Sequence, residues 1–214
     1  MAPDVLQYIM LNVDSAADFG AAILAGGRAT RLEGIHKALL EIEPGVTMLK
    51  KIAGELASCG AGEIIVLAND PKPYGKFGFQ IVPDVTPGIG PLAGIEAGLS
   101  YYRGRHDAVL FVPCDMPGIT AVELSALVRA FRESGKPVIY AETGDFFAHP
   151  LCAVVHIGSL DAVSDDIRRG VRKVSDVWRE LGAAAVHFDD PAPFVNVNTP
   201  EDVAKLLSVN LECS

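Results

Sequence analysis

Near the start of the chain, Leu24-Ala25-Gly26-Gly27-Arg28-Ala29-Thr30-Arg31-Leu32-Glu33-Gly34-Ile35-His36-Lys37 places a glycine pair after an apolar run and follows it with Arg28, Arg31 and Lys37. Glycines without Cβ let the backbone approach a bulky anion and aim N–H groups at it, and the cations match phosphate oxygens in charge. The pattern fits a polyphosphate. It is neither a P-loop, because the GK[ST] ending is missing, nor the G-x-G-x-x-G loop of a dinucleotide fold. Farther on, Asp115 in Pro113-Cys114-Asp115 is a hard oxygen ligand suited to Mg2+ held by one or two carboxylates together with phosphate oxygens. Lys37 and such a metal would stabilise charge developing on phosphoryl oxygens. No Ser, His and Asp set is apparent, and no thiol has an evident activating partner, so the substrates must bring their own nucleophile. Nucleotidyl transfer is chemistry of that kind: an acceptor phosphate attacks the α-phosphate of a nucleoside triphosphate and pyrophosphate leaves.

The elements that must position these residues follow from periodicity. From Ala21 onward strand-like and helix-like segments alternate, the pattern of a layered α/β fold with a largely parallel sheet. Ile64 to Ala68 and Ala108 to Val112 are continuous apolar runs, as expected for strands covered on both faces. A shorter strand is expected over Gln80-Ile81-Val82, and others over Val138 to Ala141, Leu151 to His156 and Ala184 to Phe188. Helices are expected after Thr47 as cap, with Gly60 available to end the first; from Pro91; after the capping box Thr120/Glu123, stopping near Gly135; around Val174 to Leu181; and after Thr199. In open α/β sheets ligands bind beyond the carboxyl ends of the strands. Four successive strands end in Gly26-Gly27, Asn69, Asp84 and Asp115, so these residues are expected on one rim. His36 reads as a loop residue, His149-Pro150 as a turn ahead of a strand, Cys114 as packing at a strand end and Trp178 as core.

The chain's 214 residues suit one well-buried domain, expected over residues 20–214 behind an N-terminal extension of residues 1–19. A formal net charge of −9 argues against nucleic acid or an anionic membrane surface as partner. The four cysteines are widely spaced without a C-x-x-C pair, which indicates neither a zinc site nor a disulfide framework and fits the cytoplasm. The apolar segment Val5 to Val13 is too short to span a bilayer.

Four ordered motifs carry a specific resemblance: Leu24-Ala25-Gly26-Gly27 with Arg31 and Lys37; Gly90-Pro91-Leu92-Ala93-Gly94; Pro113-Cys114-Asp115-Met116-Pro117; and Asn196-Val197-Asn198-Thr199-Pro200-Glu201-Asp202. From about Ala21 to Leu207 the sequence resembles the molybdenum cofactor guanylyltransferases of the MobA type. The resemblance implies a three-layer α/β/α, Rossmann-like nucleotidyltransferase fold with a mostly parallel mixed sheet. It implies that Leu24, Ala25, Gly26 and Gly27 hold the triphosphate, that Lys37, Asn69, Asp84 and Asp115 contact GTP, and that Asp115 ligates Mg2+. Lys37, Arg31 and Asp115 would be the catalytic set, and Asn196 and Asn198 the rim for molybdopterin. The implied reaction joins GMP from GTP to the terminal phosphate of molybdenum-bearing molybdopterin, with molybdoenzymes or other cofactor-biosynthesis proteins as further partners. Such families usually carry Met-Gly where this chain has Leu32-Glu33, which puts a negative charge beside the loop. The competing readings are a molybdopterin cytidylyltransferase, a sugar-phosphate nucleotidyltransferase, and a non-catalytic GTP-binding module that delivers the cofactor.

Overall fold

A computed structural model describes residues 18–26, 31–32, 35–144, 146–199 and 202. The strands are β1 (Phe19–Leu24), β2 (Arg31–Leu32), β3 (Ile35–His36), β4 (Glu41–Glu43), β5 (Val46–Thr47), β6 (Ile64–Leu67), β7 (Gln80–Val82), β8 (Ala108–Pro113), β9 (Val138–Thr143), β10 (Phe147–His156) and β11 (Ala184–Phe188). The helices are α1 (Met48–Ser58), α2 (Pro91–Tyr102), α3 (Ala121–Ser134), α4 (Leu160–Arg168) and α5 (Val174–Glu180).

Seven strands form one sheet in the order β11-β9-β10-β8-β1-β6-β7. Every pairing is parallel except those of β10 with β8 and with β9, so β10 alone runs against the rest. β1 is central. All six residues of β8 are buried, and β1 is buried from Phe19 to Ile23, because helices cover both faces of the sheet. On one face α1 and α3 bring Leu49, Ile52, Leu56, Leu124, Leu127 and Phe131 against Ile23, Val66 and Val112. On the other, α2, α4 and α5 bring Leu92, Ile95, Leu99, Val163, Val177 and Trp178 against Ala22, Ile65 and Phe111. This is the three-layer α/β/α arrangement with a mostly parallel mixed sheet.

Local signals set several boundaries. Thr47 caps α1, its hydroxyl accepting from Lys50 N–H at 3.3 Å. Glu123 accepts from Thr120 N–H at 2.9 Å and closes the capping box of α3, which ends on Gly135 in the left-handed region at φ 64°. Pro91 is the first residue of α2 behind Gly90 at φ 90°. Thr199 and Asp202 cap reciprocally, Asp202 Oδ2 accepting from Thr199 N–H at 2.9 Å and Thr199 Oγ1 from Asp202 N–H at 3.1 Å. The continuation of that expected helix lies outside the described residues.

Three sequence expectations need correction. His149-Pro150 is not a turn ahead of a strand: β10 begins at Phe147 and runs through both residues. A proline in an interior strand withholds a ladder N–H, and here a bulge between His149 and Ala153 absorbs it. The Trp178 indole N–H donates to the Pro150 carbonyl at 2.8 Å, which satisfies the bulge from the helix layer. β9 likewise extends to Thr143, two residues past the expected end. The helix α4 was not expected at all.

Candidate nucleotide site

Because β7, β6, β1 and β8 are parallel neighbours, their carboxyl ends share one rim. Along it stand Asp84, Asn69, Ala25-Gly26 and Asp115, one group beyond each strand. A cavity of about 740 Å³ opens there, lined by Leu24, Ala25, Gly26, Asn69 and Asp84 together with Gly90, Pro91 and Gly94 from the start of α2. That size accommodates a nucleotide-sized ligand.

Backbone and side-chain bonds together hold the cavity's walls. Ala25 N–H donates to Leu67 O at 3.0 Å, tying the glycine loop to the end of β6. Asn69 and Asp84 are locked reciprocally: Asn69 Nδ2 donates to Asp84 Oδ2 at 2.7 Å, and Asp84 N–H donates to Asn69 Oδ1 at 2.9 Å. One carboxylate oxygen of Asp84 is thus engaged, and the other, Oδ1, lies on the side of Gly94, where an added Cβ would sit 3.9 Å away. The same Cβ would sit 2.9 Å from Leu24 Cδ2, so a larger residue here would displace the Leu24 side chain from its place in the cavity wall.

Beside the cavity, at the end of β8, Asp115 is half-buried, and burial pushes its carboxyl above the usual carboxylate range while the nearby Lys37 ammonium opposes that shift. Lys37 Nζ donates to Asn198 Oδ1 at 2.5 Å, and the Asp115 carbonyl accepts from Val197 N–H at 2.7 Å. The chain therefore brings Lys37, Asp115 and Asn198 together although 161 residues separate Lys37 from Asn198. Asn196 is exposed on the same segment and makes no side-chain hydrogen bond among the described residues. Neither Lys37 nor Asp115 lines the cavity itself; they flank it. Gly27 and Glu33 lie outside the described residues, as does the side chain of Arg31, whose backbone forms β2.

Asp115 fits a divalent cation shared with phosphates. It is a single partly desolvated carboxylate, and no cluster of three or more His, Cys, Asp or Glu among the described residues would form a self-sufficient metal cage. Cys114, next to it, is buried and its thiol is pushed up to about 12 by burial, so it stays protonated and packs.

Three wall residues escaped the sequence reading. Tyr74, 1% exposed, donates its hydroxyl to Ala25 O at 3.3 Å and so holds the glycine loop from below. His36 stands edge-on to that ring at 5.8 Å between centroids and lines the cavity from β3. Arg172, between α4 and α5, reaches the cavity with Nη1 held by Ile167 O at 3.2 Å and Val171 O at 2.8 Å. A glycine followed by two cations, Gly170-Val171-Arg172-Lys173, was the available signal for the last. His149, by contrast, is buried; its Nε2 lies 2.9 Å from Thr143 Oγ1, its ring stacks on Phe194, and burial lowers its pKa.

The pattern of the MobA-like NTP transferase domain matches residues 21–184. The molybdenum cofactor guanylyltransferase of Polynucleobacter asymbioticus is 34% identical over 201 residues, which cover 88% of this chain and 95% of that protein. The crystal structure of molybdopterin-guanine dinucleotide biosynthesis protein A from Archaeoglobus fulgidus superposes with a TM-score of 0.71 at 20% identity, covering 90% of this chain and 99% of that one. Rv0371c of Mycobacterium tuberculosis H37Rv, solved in complex with manganese, superposes with a TM-score of 0.66 at 15% identity over 89% of this chain and 98% of that one. No described helix is long and apolar enough to cross a membrane.

Proposed function

The chain belongs to the MobA-like NTP transferase family of nucleotidyltransferases, and from that premise we propose that it transfers GMP from GTP to the terminal phosphate of molybdenum-bearing molybdopterin, releasing pyrophosphate. The observation that carries the reading is the rim: a preformed cavity bounded by the Leu24–Gly26 loop and the Asn69–Asp84 pair, with Lys37 and Asp115 at its margin.

In this reading Leu24 to Gly27 cradle the triphosphate, Asn69 and Asp84 contact the nucleoside part, and Lys37 lies against phosphoryl oxygens. Asp115 would hold Mg2+, which when bound supplies positive charge to the phosphates. An oxygen of the acceptor's terminal phosphate attacks the α-phosphorus of GTP. One P–O bond forms there as the bond to the bridging oxygen breaks, and its electron pair leaves with pyrophosphate. No protein nucleophile takes part, in accord with the protonated thiol of Cys114. Lys37 offers charge as the oxygens build it up, and Arg31 would join it from the loop. By the resemblance Asn196 and Asn198 would meet the acceptor. The work is done by residues 20–214 as one domain, in the cytoplasm, with molybdoenzymes or other cofactor-biosynthesis proteins receiving the product.

Comparison of GTP and CTP turnover with molybdopterin as acceptor tests this. GTP turnover with stoichiometric pyrophosphate is expected. A strong CTP preference would make the enzyme a cytidylyltransferase, and GTP binding without pyrophosphate release would make the protein a delivery module.

A further inference from the structure

The resemblance assigns Asn198 to the acceptor. The geometry points to a different role: Asn198 positions Lys37 for the nucleotide, so that Asn198 belongs to the triphosphate site and the acceptor falls to Asn196. The inference rests on the proposed use of Lys37 against GTP.

Three contacts support it. First, Asn198 Oδ1 accepts from Lys37 Nζ at 2.5 Å, whereas Asn196, two residues earlier, has no side-chain partner among the described residues. The two asparagines are therefore not equivalent. Second, the segment is anchored independently of any ligand: Val197 is 1% exposed against Ile42 and Met48, and its N–H donates to the Asp115 carbonyl at 2.7 Å. Third, the Asn198 backbone N–H donates to Asp202 Oδ2 at 2.9 Å, which fixes the residue from its other side. The oxygen that meets Lys37 thus sits on a braced backbone.

A lysine carries four rotatable bonds and three donors. One donor on a braced amide oxygen confines the side chain and leaves two donors for phosphate oxygens. Freed from Asn198, the ammonium samples solvent, and the triphosphate must order it on binding. An amide is also the suitable partner, since it bears no charge that would compete with the phosphates for the ammonium or repel them.

The test is calorimetric titration of GTP with Mg2+ into the full-length protein, acceptor absent, for wild type, Asn198→Ala, Lys37→Ala and the double variant. Asn198→Ala is expected to weaken GTP about three- to tenfold, from the ordering that Lys37 regains. The double variant is expected to bind no more weakly than Lys37→Ala, because both substitutions remove one unit. Asn196→Ala should instead raise the acceptor KM in turnover. Asn198→Ala leaves Val197 and the backbone bonds in place, so its melting temperature should stay near wild type. Should it fail to fold, Asn198→Ser, too short to reach Lys37, is read in the same way. Wild-type GTP affinity in Asn198→Ala with a raised acceptor KM, or losses that add fully in the double variant, would overturn the positioning role and return Asn198 to the acceptor. If the wild type binds no GTP, the functional reading falls and this inference with it.

Discussion

The two ends of the binding rim are built differently. At the β7-β6-β1 end, the nucleotide cavity is made from residues that follow their own strands by one or two positions, held by short-range devices: the Asn69–Asp84 exchange across 15 residues and the bare Cα of Gly94 under Leu24. At the β8 end, the Asp115, Lys37 and Asn198 group is assembled from three remote stretches, joined by the Val197–Asp115 backbone bond. The first end is a preformed cavity held by local bonds. The second is a charged cluster whose members contact one another, and that is where the proposed chemistry is placed.

The largest effect should come from breaking the charged end. Asp115→Ala should lower turnover by about 10²–10³-fold or more while the fold persists, because it removes the carboxylate that would hold the metal charge against the phosphates. Near-normal turnover would take Asp115 out of the mechanism. Asp115→Asn sharpens the point. Burial raises the folded-state pKa above its unfolded value, so the group's contribution to stability is full below the unfolded pKa and is lost as pH rises through the folded one. At neutral pH the ionised carboxylate therefore costs stability, and Asp115→Asn should raise the melting temperature by about 1–3 °C while turnover is lost. For the same reason turnover of the wild type should begin to fall, on acidification, at a pH above the ordinary carboxylate range, and a pH profile of kcat/KM checks it.

At the receptor end, Gly94→Ala should act on binding. Its Cβ would press to 2.9 Å from Leu24 Cδ2, so the Leu24 side chain that lines the cavity must move aside, and the KM for GTP should rise by up to about tenfold with kcat little changed. A kcat loss with unchanged KM would mean that the two ends are not separable in this way. Asp84→Ala removes the carboxylate that accepts from Asn69 Nδ2 while the backbone N–H bond to Asn69 Oδ1 remains, and should weaken GTP by about 10-fold, as expected for loss of a hydrogen-bonding charged group. The smallest effect belongs to Tyr74→Phe. It removes one hydroxyl bond to the Ala25 carbonyl, so a loss of about 1 kcal/mol in stability and at most a few-fold in GTP affinity should follow, read by thermal melting and titration.

The same contrast explains what the sequence disclosed. Asn69, Asp84 and Asp115 were legible because a strand's end is a local event, and the parallel topology then aligns those ends. The capping box at Thr120 and Glu123 and the Pro91 start of α2 were legible for the same reason. The Lys37–Asn198 bond was not, since nothing local to either residue names the other. β10 was misjudged at Pro150, where the missing N–H argued against a strand and the compensation, the Trp178 indole, came from 28 residues away. The helix α4 was hidden because its inward face includes Asp166, 2% exposed, a charged residue where an apolar one would mark the buried stripe, even though its partner Arg169 is only three residues on. Tyr74 and His36 were unreadable as cavity walls because a 3-10 turn and a two-residue bridge carry no periodic signal.

The most direct test of the account is calorimetric binding of GTP, CTP and ATP with Mg2+ to the wild-type protein without acceptor. A receptor end that stands preformed predicts one-to-one binding selective for GTP. Failure of all three nucleotides to bind, or tighter binding of CTP, would contradict it.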